Sequence, residues 1–298
     1  MAKDRTGNIG EAPIGVFDSG LGGLTVVRRL AAVMPGETIV YLGDTARVPY
    51  GIRSLATVRQ YALEDAAFLM RFFPKLIVVA CNTASAAAVE AIESFCPVEV
   101  VDVIRPSAAH ALTRTDGAIG VIATEATVAS GAYERAIHAI DPRREVISKA
   151  CPLLVPIVEE GREQDDPIVL YVLGDYLREL QRRRPAVLIL GCTHYPLLAG
   201  AIGKLMGPQV QLVESGESVA MEVQRRLRAA GLKNRRAEGG SLRCFTTDNV
   251  ERFARLSERF GGRKVDNVEL VGTDELRCEV AKPDRPGLGA STVESGGR

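Results

Sequence analysis

The feature that most constrains the fold of this chain is the repeated alternation of short apolar runs with longer segments of helical periodicity. Nearly continuous apolar runs are typical of parallel strands that helices cover on both faces. Alternating strands and helices therefore predict a parallel α/β fold. The strands are expected at residues 14–17, 38–44, 76–80, 98–103, 118–123, 186–191 and 209–214.

The helical segments carry recognisable ends. A helix is expected over residues 54–73 with Ser54 as its N-cap, because a serine hydroxyl can accept a bond from a free backbone N–H. A second helix is expected to begin at Asp166–Pro167 and to end before Pro185, since proline is tolerated at a first helical position. The apolar stripe of the first helix comprises Leu55, Val58, Ala62, Ala66, Leu69 and Phe73.

The two halves of the chain repeat one layout. LIVVACNTASA and VLILGCTHYPL each show an apolar strand, a small residue, a cysteine and then polar residues that open a helix. IGVFDSG and IGVIATE likewise share a strand that ends in a polar turn. Cys81 and Cys192 lie about one domain length apart. We therefore expect two pseudo-symmetric α/β domains, with the active site in the cleft between them at the carboxyl ends of the strands.

Composition excludes several classes of protein. The 298 residues contain 37 Lys and Arg against 37 Asp and Glu, so charge gives no reason to expect nucleic acid or a membrane as partner. The first residues are charged and include no signal peptide or spanning segment. None of the six cysteines forms a C-x-x-C pair, which argues against a disulfide scaffold and for the cytoplasm.

Cys81 and Cys192 are the candidate catalytic groups. A cysteine between a strand and a helix lies at the positive end of the helix dipole, so a lowered pKa is expected for its thiol. Either one alone could equally be a buried structural cysteine. As a matched pair they suit the inversion of a stereocentre, which needs a base on one face and an acid on the other. Other cysteines lack this context and receive no role: Cys96, Cys151, Cys244 and Cys278.

Polar residues near the two thiols fit an amino-acid ligand. Asp18 and Ser19 could hold an ammonium group or tune Cys81, although Asp18 could instead cap a helix. Tyr50 and Gly51 lie in a tight loop whose backbone could approach a carboxylate. Further carboxylate donors are expected at helix N-termini, namely Asn82, Thr83 and Thr193.

Six blocks taken together resemble the glutamate racemase family over roughly residues 13–270. The resemblance implies a cofactor-independent, homodimeric cytoplasmic isomerase that interconverts L- and D-glutamate for peptidoglycan synthesis. It implies that Cys81 deprotonates D-glutamate and Cys192 deprotonates L-glutamate. The blocks are IGVFDSGLGGLTV, YLGDTARVPYG, VVACNTASA, GVIATEATVASGAY, CPLLVPIVEEG and LGCTHYPLL.

The same resemblance assigns supporting roles. Asp18 would assist Cys81, while His194 and a glutamate, either Glu159 or its neighbour Glu160, would assist Cys192. It also implies a first domain made of residues 13–105 and 217–275 and a second of residues 106–216. A disordered leader over 1–12 and a disordered tail over 276–298 are expected. Substrate contacts would fall on Asp18, Ser19, Tyr50, Gly51, Asn82, Thr83, Thr193 and His194.

Four alternatives remain open from the sequence alone, and one of them, a non-enzymatic binding module, has no sequence feature that indicates it. Gly20 and Gly22 follow a strand as in dinucleotide-binding enzymes, but Thr25 stands where the third glycine would fall. A zinc site on Cys192 and His194 lacks further ligands at ordinary spacing. An aspartate racemase would resemble this chain, but that family typically has a glutamate at the position of His194.

Overall fold

The structure, a computed structural model, describes residues 9–280. Its strands are β1 (Ile14–Asp18), β2 (Ile39–Gly43), β3 (Leu76–Val79), β4 (Glu99–Asp102), β5 (Ile119–Ala123), β6 (Val146–Ala150), β7 (Val187–Gly191), β8 (Gln211–Glu214), β9 (Leu242–Thr246) and β10 (Val268–Leu270). Its helices are α1 (Leu24–Val33), α2 (Leu55–Leu69), α3 (Asn82–Phe95), α4 (Ile104–Arg114), α5 (Glu125–Ala129), α6 (Ala132–His138), α7 (Leu154–Glu159), α8 (Pro167–Arg183), α9 (Ala199–Met206), α10 (Ser215–Ala229), α11 (Val250–Gly261) and α12 (Thr273–Val280).

The strands form two parallel sheets, which confirms the predicted α/β class. One sheet has the order β10-β9-β2-β1-β3-β4 and the other β6-β5-β7-β8. The second sheet repeats the β2-β1-β3-β4 core of the first. Ile14 of β1 pairs with Leu76 of β3, and Ile119 of β5 pairs with Val187 of β7 in the equivalent register. Cys81 and Cys192 therefore occupy equivalent positions beyond β3 and β7.

All seven predicted strands are present, and six of them are buried along most of their length, whereas β8 is buried only at Val213. The strands that the pattern did not predict are β6, β9 and β10. Residues of β6 are mostly half-buried, and β10 is only three residues long. Short strands with mixed polarity show no continuous apolar run, so their pairing depends on neighbours supplied by the rest of the chain.

The predicted helix ends are largely correct. The Ser54 side chain accepts from the Thr57 N–H at 3.2 Å, and Asp166 accepts from the Ile168 N–H at 2.8 Å. The stripe on the first helix is wrong at both ends, because Leu55 is 41% exposed and Phe73 is 80% exposed. The regular helix stops at Leu69, and the 3-10 turn that follows rotates the chain away from the core.

The predicted ends of the chain need correction. Residues 276–280, expected to be a disordered tail, lie in α12, where Leu276 is buried. Residues 9–11 of the expected leader form a 3-10 turn, and the Lys75 ammonium donates to the Gly10 carbonyl at 2.7 Å. The rest of both segments lies outside the described residues. β9 and β10 join the first sheet, while the exact domain boundaries stay a prediction.

Within residues 9–280, no helix combines the length and the apolar character that crossing a membrane requires.

Candidate active site

The carboxyl edges of the two sheets meet and are joined by hydrogen bonds. The Tyr133 hydroxyl of α6 donates to Asn82 Oδ1 of α3 at 2.6 Å. Thr83 Oγ1 lies 3.0 Å from Thr124 Oγ1, which follows β5. Each bond joins a residue within two positions of Cys81 to the second half of the molecule. The site thus lies where strand ends from both sheets converge, as expected for α/β folds.

A glycine allows the residues after Cys192 to approach α1. A Cβ atom at Gly22 would lie 2.2 Å from Thr193 Oγ1 and 2.6 Å from His194 Nδ1, closer than any side chain permits. The Thr193 hydroxyl also lies 3.5 Å from Asp18 Oδ1. Gly22, which suggested a dinucleotide site in the sequence, therefore serves contact between the two halves.

Cys81 is the buried N-cap of α3. Its Sγ accepts from the Ala84 N–H at 3.4 Å and lies 3.6 Å from Ser19 Oγ. Burial is the largest cause and the nearby Asp18 carboxylate the second of a pKa raised to about 12 for the Cys81 thiol. The lowered pKa expected from the helix dipole is therefore wrong for this thiol, because desolvation and a like charge outweigh the hydrogen bonds from Ala84 and Ser19.

Asp18 ends β1 and is fully buried. Its Oδ2 accepts from the Gly20 N–H at 3.0 Å. Burial raises the pKa of Asp18, although the charge of His194 and backbone hydrogen bonds oppose this. The alternative of a helix cap is wrong, since α1 begins after Gly23 with no side-chain cap. The pseudo-symmetric position in β5 is Ala123, so only the Cys81 side has this acid.

A different acid/base chain accompanies Cys192. Cys192 Sγ lies 3.9 Å from His194 Nδ1, and His194 Nε2 lies 3.1 Å from Glu159 Oε1. Burial favours a neutral His194, but its hydrogen bonds to Cys192 and Glu159 prevail and raise its pKa to about 10. The pKa of Glu159 is lowered, since His194 and Arg252 outweigh its burial. Glu160, the other candidate, is exposed.

The sequence analysis missed two residues of α11 that contact His194 and Glu159, the acid/base partners of Cys192. Arg252 Nη2 lies 3.3 Å from Glu159 Oε2, and the Phe260 ring meets His194 edge to face with 5.2 Å between centroids. Both come from the C-terminal segment that completes the first sheet. No local motif marks them, because their role arises only where α11 lies against α7.

The structure brings the expected substrate-binding residues to this edge of the sheets. One of them, Tyr50, can offer a ligand only its backbone. Asn82 Nδ2 is buried and has no partner within the described structure, so it is available to a carboxylate. Gly51 lies against Thr124, where an added Cβ would be 2.8 Å from the threonine Cβ. The Tyr50 hydroxyl is hydrogen-bonded between the buried carboxyl groups of Asp44 and Asp65 and donates its single proton to one of them, which leaves only the Tyr50 backbone for a ligand.

The described residues include no group of three or more His, Cys, Asp and Glu side chains placed to hold a metal ion. Cys192 and His194 are instead in contact with each other, and His194 uses its second nitrogen for Glu159.

Comparison with known proteins identifies the family of this chain. The family model described as Asp/Glu/Hydantoin racemase matches residues 22–223. The glutamate racemase of Chlorobaculum tepidum is 44% identical over 264 residues, which cover 88% of this chain and 97% of that protein. Glutamate racemase isoform RacE1 from Bacillus anthracis superposes with a TM-score of 0.85 at 40% identity, covering 88% of this chain and 98% of that one.

A further solved structure contains a ligand. Glutamate racemase from Francisella tularensis in complex with D-glutamate superposes with a TM-score of 0.83 at 37% identity, covering 89% of this chain and 99% of that one. Family match, identity and fold agree over most of the chain, and the chain therefore belongs to the Asp/Glu/Hydantoin racemase family and, within it, to the glutamate racemases.

Proposed function

We propose that this protein interconverts L- and D-glutamate without a cofactor, using Cys81 and Cys192 as opposed acid/base groups. The observation that carries the proposal is the equivalent placement of these two buried thiols after β3 and β7, each beside its own acid/base partner. The related Francisella tularensis structure is a complex with D-glutamate. Both relatives and site therefore favour glutamate as substrate.

The reaction needs only proton transfer. One thiolate takes the α-proton, forming an S–H bond and leaving a planar carbanion. The opposite thiol then returns a proton to the other face, so its S–H bond breaks and a new C–H bond forms. Atoms and charge balance, and the thiol and thiolate have exchanged places. Before the next turnover, each cysteine must regain its starting state through neighbouring groups or water.

The two thiols have different acid/base neighbours, which assigns them different roles. Cys81, whose pKa is raised to about 12, holds its proton and suits the acid role when L-glutamate binds. Cys192 Sγ lies 3.9 Å from His194 Nδ1, so the imidazole is placed to assist proton transfer when Cys192 acts as the base. This assignment matches the resemblance, in which Cys192 deprotonates the L-enantiomer. Asp18 would receive the Cys81 proton when the D-enantiomer is the substrate.

Substrate binding would use donors that the free protein leaves available. Asn82 Nδ2 has no partner, and a buried donor without one costs about 1–3 kcal/mol, so a ligand carboxylate would recover this energy. The backbone of Tyr50 and Gly51 would meet a second carboxylate. Ser19, Thr83 and Thr193 complete the set of neighbouring hydroxyl groups.

The test is a racemase assay on protein dialysed against a metal chelator with no cofactor added. We expect each glutamate enantiomer to be converted to the other, followed by polarimetry and chiral chromatography. In D₂O the product should carry deuterium at the α-carbon. Aspartate, tested in parallel, should react far more slowly. A requirement for pyridoxal phosphate or a metal, or a preference for aspartate, would contradict the proposal.

The cellular role is also a proposal. We infer a location in the cytoplasm, because both thiols must remain reduced to act as acid and base. We also infer that the protein is a homodimer and supplies D-glutamate for peptidoglycan, as its resemblance to glutamate racemases implies. Expression should let a bacterial strain that requires D-glutamate grow without it, and Cys192→Ser should not. Light scattering should give twice the mass of one chain. Failure of complementation by an active protein would refute the cell-wall role.

A further inference from the structure

An arginine of the C-terminal segment reaches the acid/base chain of Cys192 from the other half of the molecule. Along the sequence, α11 connects β9 to β10 of the six-stranded sheet, whereas α7 falls between β6 and β7 of the four-stranded sheet. Arg252 Nη2 is 3.3 Å from Glu159 Oε2, while Glu159 Oε1 is 3.1 Å from His194 Nε2. The carboxylate of Glu159 is thus held at both oxygens, one from each half.

Other contacts of α11 hold the same region in place. Phe260 is fully buried against the His194 ring, with 78° between the ring planes. Arg259 Nη1 donates to the Gly161 carbonyl at 3.0 Å, just after α7. α11 therefore contacts the ring, the carboxylate and the segment that carries the carboxylate.

We propose that Arg252 is a positioning residue for proton transfer at Cys192: it orients Glu159 so that this carboxylate stays bonded to His194, which contacts the thiol. This inference rests on the proposed two-thiol reaction. Within residues 9–280, the groups that act on Cys81 are Ser19, Asp18 and the Ala84 N–H, and no arginine is among them. The effect of Arg252 is therefore expected on one face of the substrate alone.

The exposure of the pair supports orientation rather than stability as its role. The Arg252 side chain is 42% exposed and that of Glu159 is 17% exposed, and ion pairs at such positions contribute little to folding. Without Arg252, Glu159 can turn toward water and lose His194. The imidazolium, which burial opposes, would then lose its hydrogen-bonded counter-charge.

Two effects of removing Arg252 act on His194 in opposite directions. The charged or titratable groups around this ring are Cys192, Glu159 and Asp18, with Arg252 behind Glu159. Losing a distant positive charge alone would favour the imidazolium. Losing the direct bond to Glu159 disfavours it, and we expect the direct bond to dominate because charge-assisted hydrogen bonds are strong at short range.

The experiment compares Arg252→Ala, Arg252→Lys and the control Arg255→Ala, which removes an exposed charge from the same helix. Racemisation alone cannot separate the faces, because L- and D-glutamate have equal free energies and kcat/KM must be equal in both directions. Chloride release from each enantiomer of β-chloroglutamate needs only the first deprotonation. The pH dependence of iodoacetamide labelling at each cysteine, read by mass spectrometry, needs no turnover.

Arg252→Ala should slow elimination from the L-analogue about fivefold, equivalent to about 1 kcal/mol, and leave the D-analogue unchanged. The labelling midpoint of Cys192 should move to higher pH, while that of Cys81 stays in place. Arg252→Lys should recover part of the rate because it keeps the charge but not the planar fork. Arg255→Ala should behave as wild type.

Equal slowing of both enantiomers, or an equal loss in Arg255→Ala, would overturn the inference. A Cys192 midpoint that stays constant or falls would also overturn it, since Glu159 would then keep its place without Arg252. If the wild type racemises glutamate but the variants show no difference between faces, only the inference fails. If the wild type does not racemise glutamate, the proposed function fails, and the labelling profile still decides the role of Arg252.

Discussion

Replacing Asp18 with asparagine should make Cys81 more reactive toward an alkylating reagent while making the enzyme slower. The Asp18 carboxylate, after burial, is the second cause of the raised pKa of Cys81. Asparagine has nearly the same shape but no charge. In the variant the pKa of Cys81 should therefore fall, although catalysis loses the group that exchanges a proton with this thiol.

The size of the effect follows from the pKa of about 12 for Cys81. At pH 8 a thiol of that pKa is a thiolate in about one molecule in 10⁴, and lowering the pKa by about one raises this fraction roughly tenfold. Removing one nearby like charge is expected to lower a pKa by on the order of one. Labelling of Cys81 at pH 8 should then rise about tenfold. Turnover should fall by about 10²–10⁴-fold, the usual contribution of a positioned acid or base.

The assay is the rate of iodoacetamide labelling at Cys81 in short pH jumps between pH 8 and 13, a range that spans the pKa of about 12, followed by mass spectrometry with and without glutamate. A pKa change moves the midpoint of the profile, whereas easier access raises the rate at every pH. Ser19→Ala is the matched control. It removes a hydrogen bond that lowers the pKa of Cys81, so its midpoint should move upward. A midpoint that is unchanged or higher in Asp18→Asn would refute the reasoning.

Three other predictions concern the same site. Cys81→Ser should still release chloride from L-β-chloroglutamate but not from the D-enantiomer, and Cys192→Ser should do the reverse; neither should racemise, because serine without an activating partner is a poor base. Retained racemisation in either variant would exclude the two-thiol mechanism. His194→Ala should lower kcat more than it raises KM, and steady-state kinetics that show a change in KM alone would contradict an acid/base role. Gly22→Ala should reduce kcat and the midpoint of thermal unfolding together, since its Cβ would lie 2.2 Å from Thr193 Oγ1; unchanged kinetics and stability would show that the two halves can separate at no cost.

The sequence alone determined the fold class and the identity of the two thiols. Strands that are buried on both faces appear as continuous apolar runs, and this pattern can be recognised in the local sequence without knowing which strands pair with one another. The repeated strand–cysteine–helix layout also placed Cys81 and Cys192 at equivalent positions, since equivalent connections lead to the same edge of a parallel sheet. Glycine and proline marked the loop at Gly51 and the start of α8 for the same local reason.

Only the tertiary structure decided the electrostatics and the partners of those thiols. The helix dipole predicted a lowered pKa for Cys81, but desolvation and Asp18 raise it, and both depend on what surrounds the sulfur. The choice of Glu159 over Glu160 depends on which face of α7 meets His194. Arg252 reaches Glu159 because a segment more than ninety residues later folds back onto the first sheet. Local sequence cannot encode such a contact, because it exists only once both halves are packed together.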